Sequence, residues 1–243
     1  MIKLIESKKD LIATEESPFG VRIRSMAELY GVGEPFAQFW AQNGSSSLAK
    51  LDDTAMLEAG EGDWEELTSF LRMLGVKTLS CSEKAAGRLG FPVSDRGEIM
   101  LLHGSVEDVY PSETVKNPGL REIYALLCAA QTESFTPPEF EPFYMDMSYR
   151  TRHDAAVSVG IRSDGELAAC ALCSSLTEHA AVVSAVAVLP QHRHKGLGRS
   201  VIATLTSLLN RERVYLFRAD GENEEFYHAL GFVPDGGWAR IEF

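Results

Sequence analysis

Positive charge is scarce in this 243-residue sequence: 23 Lys and Arg stand against 35 Asp and Glu, a net charge of −12. So acidic a chain excludes general nucleic-acid binding, because affinity for phosphates needs clustered cations. It suits amine-bearing partners, which long-range attraction steers toward it. Cysteine is scarce as well. Cys81, Cys128, Cys170 and Cys173 are too few and too scattered for a disulfide scaffold. Cys170 and Cys173 form one CxxC, but no second pair accompanies it, and the surrounding ELAACALC reads as a strand. A spacing of three puts the two side chains on opposite faces of that strand, so both read as small hydrophobes in a reduced compartment. No metal site is expected. Long apolar runs are missing too. The longest nearly apolar run, Ala180 to Pro190, falls short of the roughly 20 residues that span a bilayer. The N-terminus, MIKLIESKKD, has no apolar stretch of signal-peptide length. The expectation is a cytoplasmic protein with no membrane and no nucleic-acid partner.

What is present is enough for a packed core: 45% of residues are hydrophobic and 24% charged. The length allows one large domain or two small ones. Residues 104–118, GSVEDVYPSETVKNP, are polar with two prolines and read as a boundary. A faint repeat flanks it. Leu67-Thr68-Ser69-Phe70-Leu71 returns as Leu205-Thr206-Ser207-Leu208-Leu209, and Leu89-Gly90-Phe91 returns as Leu230-Gly231-Phe232. Each copy reads helix, β-rich run (Val76–Leu79; Val214–Phe217), short helix, Leu-Gly-Phe, strand. Two related domains, 1–105 and 106–243, are the expectation. The fold class is α/β (α+β), a mixed central sheet with flanking helices.

The C-terminal half parses further. Helical periods cover Gly119 to Gln131 and Glu141 to Arg152. Strands cover Ala155 to Ile161 and Glu166 to Leu176, joined by a turn at Ser163-Asp164-Gly165. A long apolar strand, Ala181 to Leu189, leads through a loop into the amphipathic helix Leu197 to Leu209. A strand at Arg213 to Arg218, a short helix at Glu222 to Leu230 and a last strand follow. Two strands joined by a helix in one sheet run parallel. The loop between the apolar strand and its helix is Pro190-Gln191-His192-Arg193-His194-Lys195-Gly196-Leu197-Gly198. Its glycines allow a tight turn and a close approach of backbone to ligand. The N–H groups at the helix start form an anion site, most naturally for phosphates. Arg193, His194, Lys195 and Arg199 reverse the sign of charge locally.

The loop is neither a Walker A loop nor a dinucleotide fingerprint, because GxxxxGK[ST] is absent and position 201 is Val. The stretch VAVLPQHRHKGLGRS resembles the pyrophosphate loop of the GNAT superfamily of N-acetyltransferases, R/Q-x-x-G-x-G/A. Phe226-Tyr227-His228-Ala229-Leu230-Gly231-Phe232 is similar to the family's second signature, FYxxLGF. The two motifs stand in family order across roughly residues 106–243.

The resemblance implies acetyl-CoA as co-substrate and a primary amine, small-molecule or peptide, as acceptor. It implies direct attack with no covalent enzyme intermediate. Cofactor contacts fall on Val186, Ala187 and Val188 along the strand, on Arg193 through Ser200 (with Leu197 and Gly198 between) in the loop, and on Phe226. The N–H of Val186 or Ala187 becomes the oxyanion donor. Where the family often has Asn, seven residues before the Tyr, this sequence has Asp220, with Asn223 nearby; both are candidate cofactor contacts. Tyr227 takes the general-acid position. The base is read as Glu178, in the loop with His179, or as a water relayed by Asp220. Tyr144, in the aromatic segment Phe140, Phe143 and Tyr144, is the acceptor-pocket candidate. The basic run Tyr149 to His153 has no assignment. In the N-terminal half Asp63-Trp64-Glu65-Glu66 opens the corresponding helix, and carboxylates there repel pyrophosphate. A non-catalytic acyl-CoA sensor is the alternative.

Overall fold

The structure is a computed structural model, and it describes residues 1–107, 114–132 and 135–243. The middle of the expected boundary region, 108–113, lies outside the described residues. In chain order the first elements are β1 (Ile2–Leu4), α1 (Pro18–Tyr30), β2 (Ala37–Gln42), β3 (Ser46–Leu51) and β4 (Thr54–Glu58). Next come α2 (Trp64–Met73), β5 (Thr78–Ser82), α3 (Glu83–Leu89), β6 (Val93–His103), β7 (Thr114–Lys116), α4 (Leu120–Ala129) and α5 (Phe140–Arg152). The chain ends with β8 (Val157–Ser163), β9 (Glu166–Leu176), β10 (Ala180–Val188), α6 (Leu197–Leu209), β11 (Arg213–Ala219), α7 (Glu224–Ala229) and β12 (Val233–Glu242).

The chain divides into two compact units. The first comprises Met1–Met100, Phe217–Asn223 and Pro234–Phe243; the second comprises Leu101–Leu216 and Glu224–Val233. The break at 100/101 lies near the sequence boundary at 105/106. The segments 217–223 and 234–243, read from sequence with the C-terminal domain, group instead with the first unit.

The first unit orders its strands β1-β2-β3-β4-β5-β12. Neighbours are antiparallel except β4 and β5, which pair parallel through Ala55↔Leu79 and are connected by α2. Its core joins Leu57, Leu67, Leu71 and Leu79 to Ala239 and Ile241 of β12, all 2% exposed or less.

The second unit orders its strands β11-β10-β9-β8-β7. The hairpin β8–β9 closes at Ser163↔Glu166 around Asp164 and Gly165, both at positive φ, the turn that Asp-Gly favours. β9 pairs β10 antiparallel, and β10 pairs β11 parallel across α6. α4 and α5 cover one face, where Ile123, Leu127 and Met147 meet Cys170, Leu172, Ala187 and Leu189. Helix α6 buries Val201, Ile202, Ala203, Leu205 and Leu209. Each large aliphatic side chain there stabilises by about 1.5–3 kcal/mol.

Each unit thus runs three antiparallel strands, a helix, a parallel strand and a short helix: β2-β3-β4-α2-β5-α3 and β8-β9-β10-α6-β11-α7. Both short helices end in a Leu-Gly pair whose glycine, Gly90 or Gly231, has positive φ. The sequence repeat marks two related folds, and the mixed α/β expectation holds.

Candidate functional site

The site is built where β10 leaves its neighbour. Parallel pairing of β10 with β11 in the second unit runs from Ala180↔Arg213 to Val183↔Leu216 and stops, while pairing with β9 continues to Val188↔Ala169. Irregular register on either side of Val183 marks the departure. Backbone groups of successive strand residues point to alternate edges. The Leu189 N–H donates to Ala168 of β9, so Ala187 also faces β9, and Val186 and Val188 face the other edge. Arg193 Nε donates to the Val188 carbonyl at 3.3 Å from that side. Of the two oxyanion-donor candidates, Val186 has its N–H aimed away from β9, and Ala187 does not.

Beyond β10 the chain makes one 3-10 turn, Pro190–His192, and enters the basic loop. Arg193, His194, Lys195 and Gly196 are exposed; Leu197, Gly198, Arg199 and Ser200 are half-buried. His194 has φ 60° and Gly196 φ 81°, the left-handed region in which glycine carries no penalty. Gly196 is the N-cap of α6, and no side chain caps the helix. Among the described residues, the N–H groups of His194 through Gly198 have no hydrogen-bond partner. A Cβ on Gly196 would meet nothing within 4 Å, whereas one on Gly198 would lie 3.2 Å from Phe226 Cζ and 3.6 Å from Val188 Cγ2. Glycine at 198 lets α6, β10 and α7 close together. The result is a shallow cradle of unpaired donors at the positive end of a 13-residue helix, fit for an anion with several acceptor oxygens.

Arg199, read in the sequence as a cofactor contact, also braces the site. Its guanidinium donates to the carbonyls of Ala229 at 3.1 Å and Glu107 at 3.3 Å, tying the first turn of α6 to the end of α7. Phe226 and Tyr227 sit on that helix with ring centroids 5.1 Å apart, and Tyr227 lies 5.7 Å from Phe232. The Tyr227 carbonyl accepts from the N–H groups of Leu230 and Phe232, which fixes the ring's root. Its hydroxyl has no partner among the described residues. Burial pushes the phenol up to about 12.

Other predicted positions fall elsewhere. Glu178 and His179 form the turn before β10. Glu178 is 83% exposed, and His179 lies 3.3 Å from Glu212. Eight residues of strand separate Glu178 from Val186, roughly 26 Å at about 3.3 Å each. The structure therefore does not bring the sequence-predicted base to the β10 edge that faces the loop. Asp220 and Asn223 are exposed residues of the first unit. In that unit Arg218 ion-pairs with Glu98 at 2.6 Å and donates to the carbonyls of Ala219 and Glu222, which shapes their turn. Tyr144 lies 5.5 Å from Phe140, and Arg121 lies over both rings. The basic run is explained by packing: Arg150, 5% exposed, pairs with Asp146 at 2.8 Å and donates to Ser174 O, and Tyr149 stacks on His153 at 4.1 Å.

Burial pushes the Cys170 and Cys173 thiols up to about 12, and they lie on β9 as inert small groups. Among the described residues no three His, Cys, Asp or Glu side chains gather to hold a metal ion. No helix of the described residues is long and apolar enough to cross a membrane.

The equivalent place in the first unit is closed. Asp63 caps α2, accepting from the Glu66 N–H at 2.9 Å. A Cβ on Gly60 would fall 2.2 Å from Ser45 O, and one on Gly62 would fall 2.3 Å from Gln42 Oε1. The β2–β3 hairpin and a glutamine fill the space an anion would need.

Residues 120–232 match the profile of the Acetyltransferase (GNAT) family. No curated protein matches the sequence. Among solved structures the chain is similar to a GCN5-related N-acetyltransferase from Kribbella flavida, at 17% identity and TM-score 0.62 over 91% of this chain and 95% of that one. A tandem GNAT protein from the clavulanic acid biosynthesis pathway shows 16% identity and TM-score 0.59 over 99% and 97%. A Drosophila protein shows 15% identity and TM-score 0.67 over 100% and 98%.

Proposed function

We propose that the chain, whose residues 120–232 match the Acetyltransferase (GNAT) family, transfers an acetyl group from acetyl-CoA to a primary amine. The observation that carries this is the continuity of the unpaired β10 edge with the open N–H cradle at Gly196. The fit is specific: the cradle has donors without partners, space above Gly196, and cations at Arg193, His194 and Lys195. Those groups would hold the pyrophosphate, and the backbone of Val186 and Val188 would hold the pantetheine arm. Acetyl-CoA supplies an activated acyl thioester. The Val186 N–H donates to oxygen where negative charge develops.

Tyr227 would hold a proton for the leaving sulfur. At about 12 its phenol stays protonated throughout neutral pH. Full transfer to a thiolate, whose acid titrates near about 8.5, is uphill. The hydroxyl therefore stabilises the leaving group by donating a hydrogen bond rather than by giving up its proton. Attack by the amine is direct, with no covalent enzyme intermediate. The amine's proton leaves to water.

The second reading, a non-catalytic acyl-CoA sensor, is favoured by the remote position of Glu178. A panel of polyamines, amino acids, aminoglycosides and peptide N-termini, followed by release of the CoA thiol, decides between them. Release with at least one amine supports transfer. Tight acetyl-CoA binding with no release across the panel supports the sensor.

A further inference from the structure

The root of the loop carries a pair that neither motif includes, a buried imidazole and an exposed carboxylate. His192 is the last residue of the 3-10 turn, and its side chain is 8% exposed. Its Nε2 lies 3.0 Å from Glu166 Oε1. Gln191 Nε2 reaches the same oxygen at 3.5 Å. Glu166 opens β9 directly after the Asp164-Gly165 turn. The His192 N–H also donates to Leu189 O at 2.8 Å. One residue later the chain turns outward, with Arg193 bonded back to Val188 and His194 in the left-handed region. Both the side chain and the backbone of His192 are therefore fastened where the loop begins, while among the described residues the N–H groups of His194, Lys195 and Gly196 have no partner.

We infer that the Glu166–His192 pair is a positioning device that holds the phosphate loop in its binding shape before the ligand arrives. This rests on the acetyl-CoA reading above. The physical reason is pre-organisation. Five N–H groups converge on an anion only if the loop's left-handed turn is already set, and an unfastened loop spends binding free energy on ordering itself. A buried imidazole held by one carboxylate is a stiff anchor, since losing Glu166 leaves a buried ring nitrogen unsatisfied.

The inference makes a sign prediction that simple electrostatics opposes. Glu166 is an anion on the unit that binds an anion. If it acts only through charge, Glu166→Ala tightens acetyl-CoA binding. If it anchors His192, Glu166→Ala weakens binding by about tenfold, a change of about 1.4 kcal/mol. Glu166→Gln keeps an acceptor oxygen and loses only the charge, so it binds like the parent. His192→Ala weakens binding to the same extent as Glu166→Ala, and the double variant is no weaker than either single one, as expected of two residues acting as a unit.

The test is calorimetric titration of acetyl-CoA into the full chain and these four variants, with thermal melting to confirm that each is folded. Weaker binding by Glu166→Ala with recovery in Glu166→Gln supports the anchor. Binding by Glu166→Ala equal to or tighter than that of the parent overturns the anchor alone. A parent that binds no acetyl-CoA overturns the cofactor reading and the anchor with it.

Discussion

Tyr227 shows how one residue's setting narrows its role. The motif position suggests a general acid, but enclosure by Phe226 and Phe232 raises the phenol to about 12, outside the range in which proton donors work best near neutrality. A hydrogen-bond donor that acts as sulfur gains charge affects the barrier and not the ground state. Tyr227→Phe is therefore expected to lower kcat by about 100-fold, with the acetyl-CoA Kd nearly that of the parent. Steady-state kinetics with a productive amine, alongside calorimetry, checks both. An unchanged kcat would reduce Tyr227 to a packing residue. At this scale the sequence was legible where chemistry is local. Gly196, Gly198 and the cations around them could be read from spacing alone. Glu178 was misplaced because closeness in sequence to β10 does not say which end of β10 holds the site. The partners of Arg199, Arg150 and His192 were not legible, because Ala229, Ser174 and Glu166 lie 24 to 30 residues away.

Paired elements of the two units differ in what their helix starts face. At α6 the first turn is uncapped; at α2 Asp63 caps it and Ser45 and Gln42 fill the approach. One acetyl-CoA per chain is the expected stoichiometry, and a calorimetric isotherm with two equivalent sites would contradict it. β5 and β9 add a second expectation. Cys81, Cys170 and Cys173 are buried, and desolvation holds each thiol at about 12 against an ordinary 9.0. Only Cys128 is exposed. Ellman's reagent should titrate one thiol per native chain and four after denaturation. The sign of the linkage follows from the same shifts. Unfolded thiols lose protons near pH 9 while the folded ones keep theirs, so their contribution to stability is complete below pH 9 and is lost as pH rises toward 12. Equilibrium denaturation at pH 7.5 and pH 10.5 should give a lower midpoint at the higher pH. The Asp63 cap of α2 and the burial of Cys170 and Cys173 on one strand were legible, because capping residues and strand alternation are properties of the sequence itself.

At the scale of the whole chain, the compact units are not contiguous segments. Residues 234–243 close the first unit's core, with Ala239 and Ile241 fully buried among Leu57, Leu67 and Leu79. Ile241→Ala should destabilise by about 2–5 kcal/mol, read as a shift in the urea midpoint. A fragment ending at residue 105 lacks β12 and should show no cooperative unfolding transition by circular dichroism. A cooperative transition in that fragment would show that β12 is dispensable to the first unit. The tandem arrangement could be read from two short echoes, because related helices keep related residues. The return of 217–223 and 234–243 to the first unit could not. A strand's hydrophobic alternation says which face is buried and is silent about the partner that buries it.

The central claim is that the loop before α6 holds acetyl-CoA, and Gly196 tests it most directly. Nothing lies within 4 Å of a Cβ at that position, so a glutamate places a carboxylate in the cradle without a clash in the protein. The left-handed φ of 81° costs a side chain about 1–2 kcal/mol, too little to unfold the chain. Acetyl-CoA titrated into the parent and into Gly196→Glu, both shown folded by melting, should give one equivalent bound for the parent and no measurable binding for the variant. Equal affinity in the two proteins would mean that acetyl-CoA is held somewhere else.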